Sequence, residues 1–226
     1  SPLFANSIVS TDIDFIKVDD PSAFVSLKYQ GQKEQEMPDR RNDVLMDDRT
    51  FVFEADFADG NKIEIWVHSS FKHIADAENY AQMITGPLGK LPEVMRKKLH
   101  HVVIHKGDQT AFGESDGHFF VIYSENMETR YSNHDLEETV FHESVHATLE
   151  YLYKEDPDWL KAQKNDNTFI TEYAANNPRI EDLPETALFA YTMLKHPGRL
   201  SPEIEEWIRN EIPNRLNFFK NIFIYI

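Results

Sequence analysis

Apolar and polar positions alternate along Thr50-Phe51-Val52-Phe53-Glu54-Ala55-Asp56-Phe57 and again along Lys62-Ile63-Glu64-Ile65-Trp66-Val67. A period of two puts successive side chains on opposite faces of a strand, and Asp59-Gly60 supplies a turn, so the pair predicts a β-hairpin. Two more strands are predicted at His101-Val102-Val103-Ile104-His105 and His118-Phe119-Phe120-Val121-Ile122-Tyr123. Residues 107–117 between them are rich in Gly, Asp and Ser and read as a loop. Helices are expected over residues 73–84 and 91–99, on either side of a Gly86-Pro87 break. From Asp135 onward the pattern is helical. Asp156-Pro157 and Ser201-Pro202 each couple a capping side chain to a proline suited to the first helical position. Residues 1–48 show little periodicity, and 30–48 are nearly all polar, as in a loop or irregular connection.

The expected fold class is therefore α+β: a small mixed or antiparallel sheet with helices, then a helical C-terminal half, with a cleft between them. One domain spans 1–226 in this reading. It comprises an N-terminal extension (1–48, partly irregular), a strand-rich subdomain (49–134) and a helical subdomain (135–226). The aromatic-rich tail Phe218-Phe219-Lys220-Asn221-Ile222-Phe223-Ile224-Tyr225 is expected to pack on the core.

Composition narrows the possible partners. Hydrophobic residues make up 41% of the 226 and aromatics 12%, enough for a real core. No stretch approaches the roughly 18 uninterrupted apolar residues of a membrane span. The net charge of −16 would repel nucleic acid and anionic membranes. There is no cysteine, so a metal would have to be held by His, Asp or Glu. The chain opens on Ser1-Pro2-Leu3-Phe4 with no basic-then-apolar leader. Localisation stays open, with an exported protein (secreted or periplasmic, its leader removed) favoured; oligomeric state is also left open.

The candidate chemistry lies in His142-Glu143-Ser144-Val145-His146. Residues four apart share one face of a helix, so His142 and His146 can turn toward one ion. Glu143 can then reach a water beside that ion, as a general base requires. Val140, Phe141, Val145 and Leu149 flank the pair and would bury the helix. Two such histidines can also simply pack; the apolar flank favours metal. The site needs a third protein ligand. Leu149 and Leu152 stand where a third histidine of the extended pattern would be, so a carboxylate or distant histidine is required. Glu150 lies about 6 Å along the axis from His146 and would converge poorly. Glu181 and Glu185 are better placed: Pro184 suits a first helical turn, so a helix starting near Glu181 sets both acids on one face. One can bind zinc while the other accepts a hydrogen bond from a ligand imidazole. Asp182 is expected only to favour the positive helix end.

A His-Glu-x-x-His helix followed by a glutamate on a second helix resembles the gluzincin peptidases. Tyr173, Glu181 and Glu185, with the helical run Leu188-Phe189-Ala190-Tyr191, more closely resemble the catalytic domain of the anthrax lethal factor family over about residues 135–195. That resemblance implies a zincin-like metallopeptidase fold and a zinc ion on His142, His146 and Glu181, with Glu185 supporting the site. It further implies Glu143 and Tyr173 as catalytic residues, Tyr173 facing the reacting carbonyl. The expected activity is that of a zinc endopeptidase acting on a peptide or protein, which could lie along an edge strand formed by residues 118–123. The alternatives are a catalytically silent zinc-binding module and a zinc hydrolase of a non-peptide amide or ester.

Overall fold

The structure, a computed structural model, describes residues 1–8 and 11–224. It is α+β, and among the described residues six strands form one mixed sheet, in spatial order β1 (Phe24–Glu36), β2 (Asp47–Phe57), β3 (Lys62–Val67), β4 (His101–His105), β6 (Phe119–Tyr123) and β5 (Phe112–Glu114). The expected hairpin is β2 (Asp47–Phe57) and β3 (Lys62–Val67), paired antiparallel with Phe53 opposite Ile65. β4 (His101–His105) lies parallel to β3 and to β6 (Phe119–Tyr123). Every residue of β4 is buried, as suits a parallel strand covered on both faces.

Two stretches expected to be irregular are strands. β1 (Phe24–Glu36), 13 residues long, pairs antiparallel with β2, although no residue in it is fully buried. Its register shifts between Tyr29 and Gln32, around Gly31 with φ of 93°, as at a β-bulge. β5 (Phe112–Glu114) lies inside the supposed 107–117 loop and pairs antiparallel with β6. The edge strand beyond β4 is therefore β5. Residues 118–123 are not an edge: His118 sits in a left-handed turn (φ 54°), and β6 is enclosed between β4 and β5.

The chain divides into two compact units, one of residues 18–148 and the other of 1–17 with 149–226. In the first, α1 (Ile74–Gly89) packs against β1, β2 and β3 and continues through Gly86-Pro87. The proline falls in the last turn, where little helix remains for it to break. α2 is a short turn (Glu93–Arg96), and α3 (Ser124–Ser132) begins directly after β6, ahead of the helical onset expected at Asp135. One sheet face carries Phe53, Ile65, Val102 and Phe120, all fully buried. The opposite face carries Val52, Trp66, Val103, Val121 and Tyr123, joined by Met37. Residues 38–41 cover part of it: Arg40 N–H donates to Tyr123 Oη at 2.9 Å, and the Arg41 guanidinium lies over the Tyr123 ring. α4 (Leu136–Tyr153) runs on from this unit into the second.

The second unit holds α5 (Pro157–Asn165), α6 (Glu172–Asn176), α7 (Asp182–Lys195), α8 (Pro202–Glu211) and α9 (Pro213–Ile222). Asp156 caps α5 and Ser201 caps α8, as their sequences predict. α7 is buried from Asp182 to Met193, and Phe189 at its centre meets Phe4 and Phe15 of the N-terminal segment. That segment is thus part of the helical unit: Phe4 bridges Thr171 and accepts a hydrogen bond from Glu172 N. Phe219 and Phe223 are buried as expected of the tail, while Tyr225 lies outside the described residues. Among the described residues no helix is long and apolar enough to cross a membrane.

Candidate metal centre

α4 forms where the sequence predicts it and buries the expected flank: Val140, Phe141, Val145 and Leu149 are fully inaccessible. His142, Glu143 and His146 keep only 7%, 8% and 8% of their surface, at the margin of that core. The two imidazoles stand with ring centroids 5.0 Å apart. The sheet edge meets the same stretch of helix. A Cβ added to Gly113 in β5 would fall 2.5 Å from His146 Cβ and 2.7 Å from Glu143 O, so only glycine permits this approach. His118 adds a tether, with Nδ1 placed to donate to Ala147 O at 3.1 Å.

Glu181 is set by the turn that opens α7. Its N–H donates to Asn177 O at 2.8 Å, and its carbonyl accepts from Glu185 N at 3.0 Å. It occupies the capping position, yet its carboxylate forms no capping bond to the helix. One ligand atom each from the buried His142 and His146 and the half-buried Glu181 lies within 4.8 Å of the others, so this group could hold a metal ion. Zinc bonds of 2.0–2.2 Å in tetrahedral array place neighbouring donors about 3.4 Å apart, inside that 4.8 Å span. Two imidazoles and a carboxylate also form a donor set that zinc accepts, and with no thiolate present nothing softer competes.

Glu185 lies one turn further along α7 and is fully buried. It accepts from Ser7 Oγ at 3.1 Å, Ile8 N at 3.2 Å and Thr171 Oγ1 at 3.1 Å, which ties the N-terminal segment to α7. Tyr173 stands on the short helix α6, 38% exposed. Asp182 lies in the first turn of α7, as expected of an acid at the positive helix end, and it has a further role: it has no exposed surface, and Arg215 of α9 donates to it at 3.0 Å. Burial raises the Asp182 pKa, and the Arg215 charge opposes that rise. Residue spacing gives no hint of this pair, since 33 positions separate its members. A glycine inside a short strand-like run, Phe112-Gly113-Glu114, was the one available signal for the close approach of β5.

No protein-family model matches the chain, no curated protein matches it, and no solved structure matches its fold.

Proposed function

We propose that this protein is a zinc-dependent endopeptidase of the gluzincin kind, with a zincin-like fold, His142, His146 and Glu181 as the metal ligands, and Glu143 as general base. The observation that carries this reading is the convergence of those three donors beside a glutamate that shares the helix of two of them. The resemblance to the lethal factor catalytic domain is consistent with it, and an edge strand touching the metal helix supports it from the fold.

Bound there, zinc supplies Lewis acidity and lowers the pKa of water in the site. Glu143 takes a proton from the attacking water and returns it to the leaving amine, as a general base and then a general acid. Its burial limits competition from bulk water for that proton. Tyr173 donates a hydrogen bond to the oxyanion that develops on the scissile carbonyl. An extended peptide adds to the outer edge of β5, where backbone groups hold it and Gly113 brings it alongside Glu143.

Replacing Glu143 by Gln tests the proposal. The variant should bind one zinc per chain with unchanged affinity and lose peptide cleavage by at least about 100-fold. Full cleavage by the variant would refute the assignment of the base. Stoichiometric zinc without turnover of a broad peptide library by the parent protein would leave a metal-binding module in place of an enzyme. Turnover of esters or small amides in place of peptides would redirect the reading to a non-peptide hydrolase.

A further inference from the structure

Glu181 would be supplied as a ligand from the first residue of a helical turn, where chain ends fray most readily. The next residue is held unusually firmly. Asp182 Oδ2 accepts from Arg215 Nε at 3.0 Å and from Gln163 Nε2 at 2.8 Å, and Oδ1 accepts from Thr186 Oγ1 at 3.0 Å. Arg215 in turn reaches away from α7: Nη1 donates to Asp166 Oδ2 at 3.0 Å and to Thr168 O at 3.1 Å. Its guanidinium lies 4.6 Å from the centre of the Phe169 ring and 5.8 Å from that of Trp159. Asp166 also accepts from Asn214 N and Arg215 N at the start of α9. Both side chains of the central pair are wholly inaccessible.

Burying two charges this completely has a large desolvation cost, and a well-packed apolar pair often stabilises a fold as much. What apolar packing does not supply is direction. A planar guanidinium held by two carboxylates and a carbonyl, against two aromatic rings, admits one orientation. It joins the N-terminus of α7, the 166–169 loop and the first turn of α9 at one point. That point is one residue from Glu181.

We infer that Arg215 and Asp182 are positioning residues which set the carboxylate of Glu181 for the metal, so that their ion pair controls metal affinity without touching the ion. This inference rests on the reading of Glu181 as a ligand.

The test is a double-mutant cycle read by zinc affinity, using competition with a chromogenic chelator on the full chain, with near-UV circular dichroism reporting native packing. Asp182→Asn keeps the shape of the side chain and removes its charge. It should weaken zinc binding by about 10–100-fold while the native spectrum is retained. Glu181→Ala should weaken binding at least as much, and adding Asp182→Asn to it should weaken binding no further, because the aspartate acts through the glutamate. Arg215→Lys, which keeps the charge but loses the planar fork, carries the same expectation should Asp182→Asn fold poorly. Zinc affinity within twofold of the parent in folded Asp182→Asn overturns the inference, and so does an undiminished effect of Asp182→Asn in the Glu181→Ala background. Unchanged zinc affinity in Glu181→Ala alone overturns the ligand assignment beneath it, a distinct result.

Discussion

Gly113→Ala puts the junction between the sheet edge and the helix of His142 and His146 to a direct test. Gly113 lies outside the left-handed region of φ, so alanine brings no backbone penalty and the substitution reports contact alone. Its Cβ would stand 2.5 Å from His146 Cβ, 2.7 Å from Glu143 O and 3.4 Å from Ala147 N. Carbon atoms pack at about 3.5–4.0 Å, so β5 and α4 must separate by about 1 Å. Two of the three obstacles are helix backbone and the third is a Cβ, and none of these can swing aside as a side-chain tip would. The overpacking cost should be about 1–3 kcal/mol in urea unfolding at pH 7. A displacement of about 1 Å at a reacting centre can cost about 100-fold in rate. In peptide-cleavage assays at saturating zinc, kcat/KM should therefore fall by about that factor, more than the loss of folded protein accounts for. Unfolding within about 0.5 kcal/mol of the parent together with unchanged kcat/KM would show that β5 does not bear on the helix.

Glu181 and Glu185 should separate by assay. Glu181→Ala should lose zinc affinity at little cost to stability, whereas Glu185→Ala should leave buried donors on Ser7, Ile8 and Thr171 unanswered, at about 1–3 kcal/mol in urea unfolding. Tight zinc in Glu181→Ala with loss of zinc in Glu185→Ala would mean that their roles are reversed. His101 should make the fold acid-sensitive. Burial, with His100 alongside, lowers its pKa from 6.5 to about 3, so its contribution is complete above pH 6.5 and is lost as pH falls below it. At pH 5 the loss is about 2 kcal/mol. His101→Phe keeps the stack between Trp66 and Phe119 and should flatten urea midpoints measured from pH 7 to pH 5; an unchanged slope would place the sensitivity elsewhere.

What could be read from the sequence was what neighbouring residues decide together. The β2–β3 hairpin, the caps of α5 and α8, and the start of α7 at Glu181 are local patterns, and each is found within three residues of its expected place. The same holds for His142, Glu143 and His146, whose shared helix follows from their spacing and an apolar flank. The failures have physical reasons of their own. β1 buries no residue completely, so its faces carry no alternation to detect. α3 buries only Ser124 and Met127, too few for an apolar stripe. β5 is three residues long, shorter than any periodicity can reveal. The partnership of the first 17 residues with α7 depends on Phe4, Phe15 and the Ser7–Glu185 bond, contacts that span most of the chain.

This contrast orders the candidate site itself. Two of its donors share one helix, so their spacing is guaranteed by 3.6 residues per turn wherever α4 lies. The third comes from another helix and has no such guarantee. Long-range supports accordingly gather around it: Glu185 holds the N-terminal segment one turn beyond, and Asp182 engages Arg215 one residue beyond. On α4 the supports act differently, through Gly113 and His118, which fix the helix as a body and leave its side chains to their spacing. Perturbations should divide along the same line. Changes at Gly113 should act mainly on cleavage rate, because they shift Glu143 relative to the peptide proposed to lie along β5. Changes at Asp182 or Arg215 should act mainly on zinc affinity, because they shift Glu181, the proposed third ligand, relative to the two histidines. If both sets of variants altered rate and affinity in the same proportion, α4 and Glu181 would be responding as one, and their separate supports would have no separate effect.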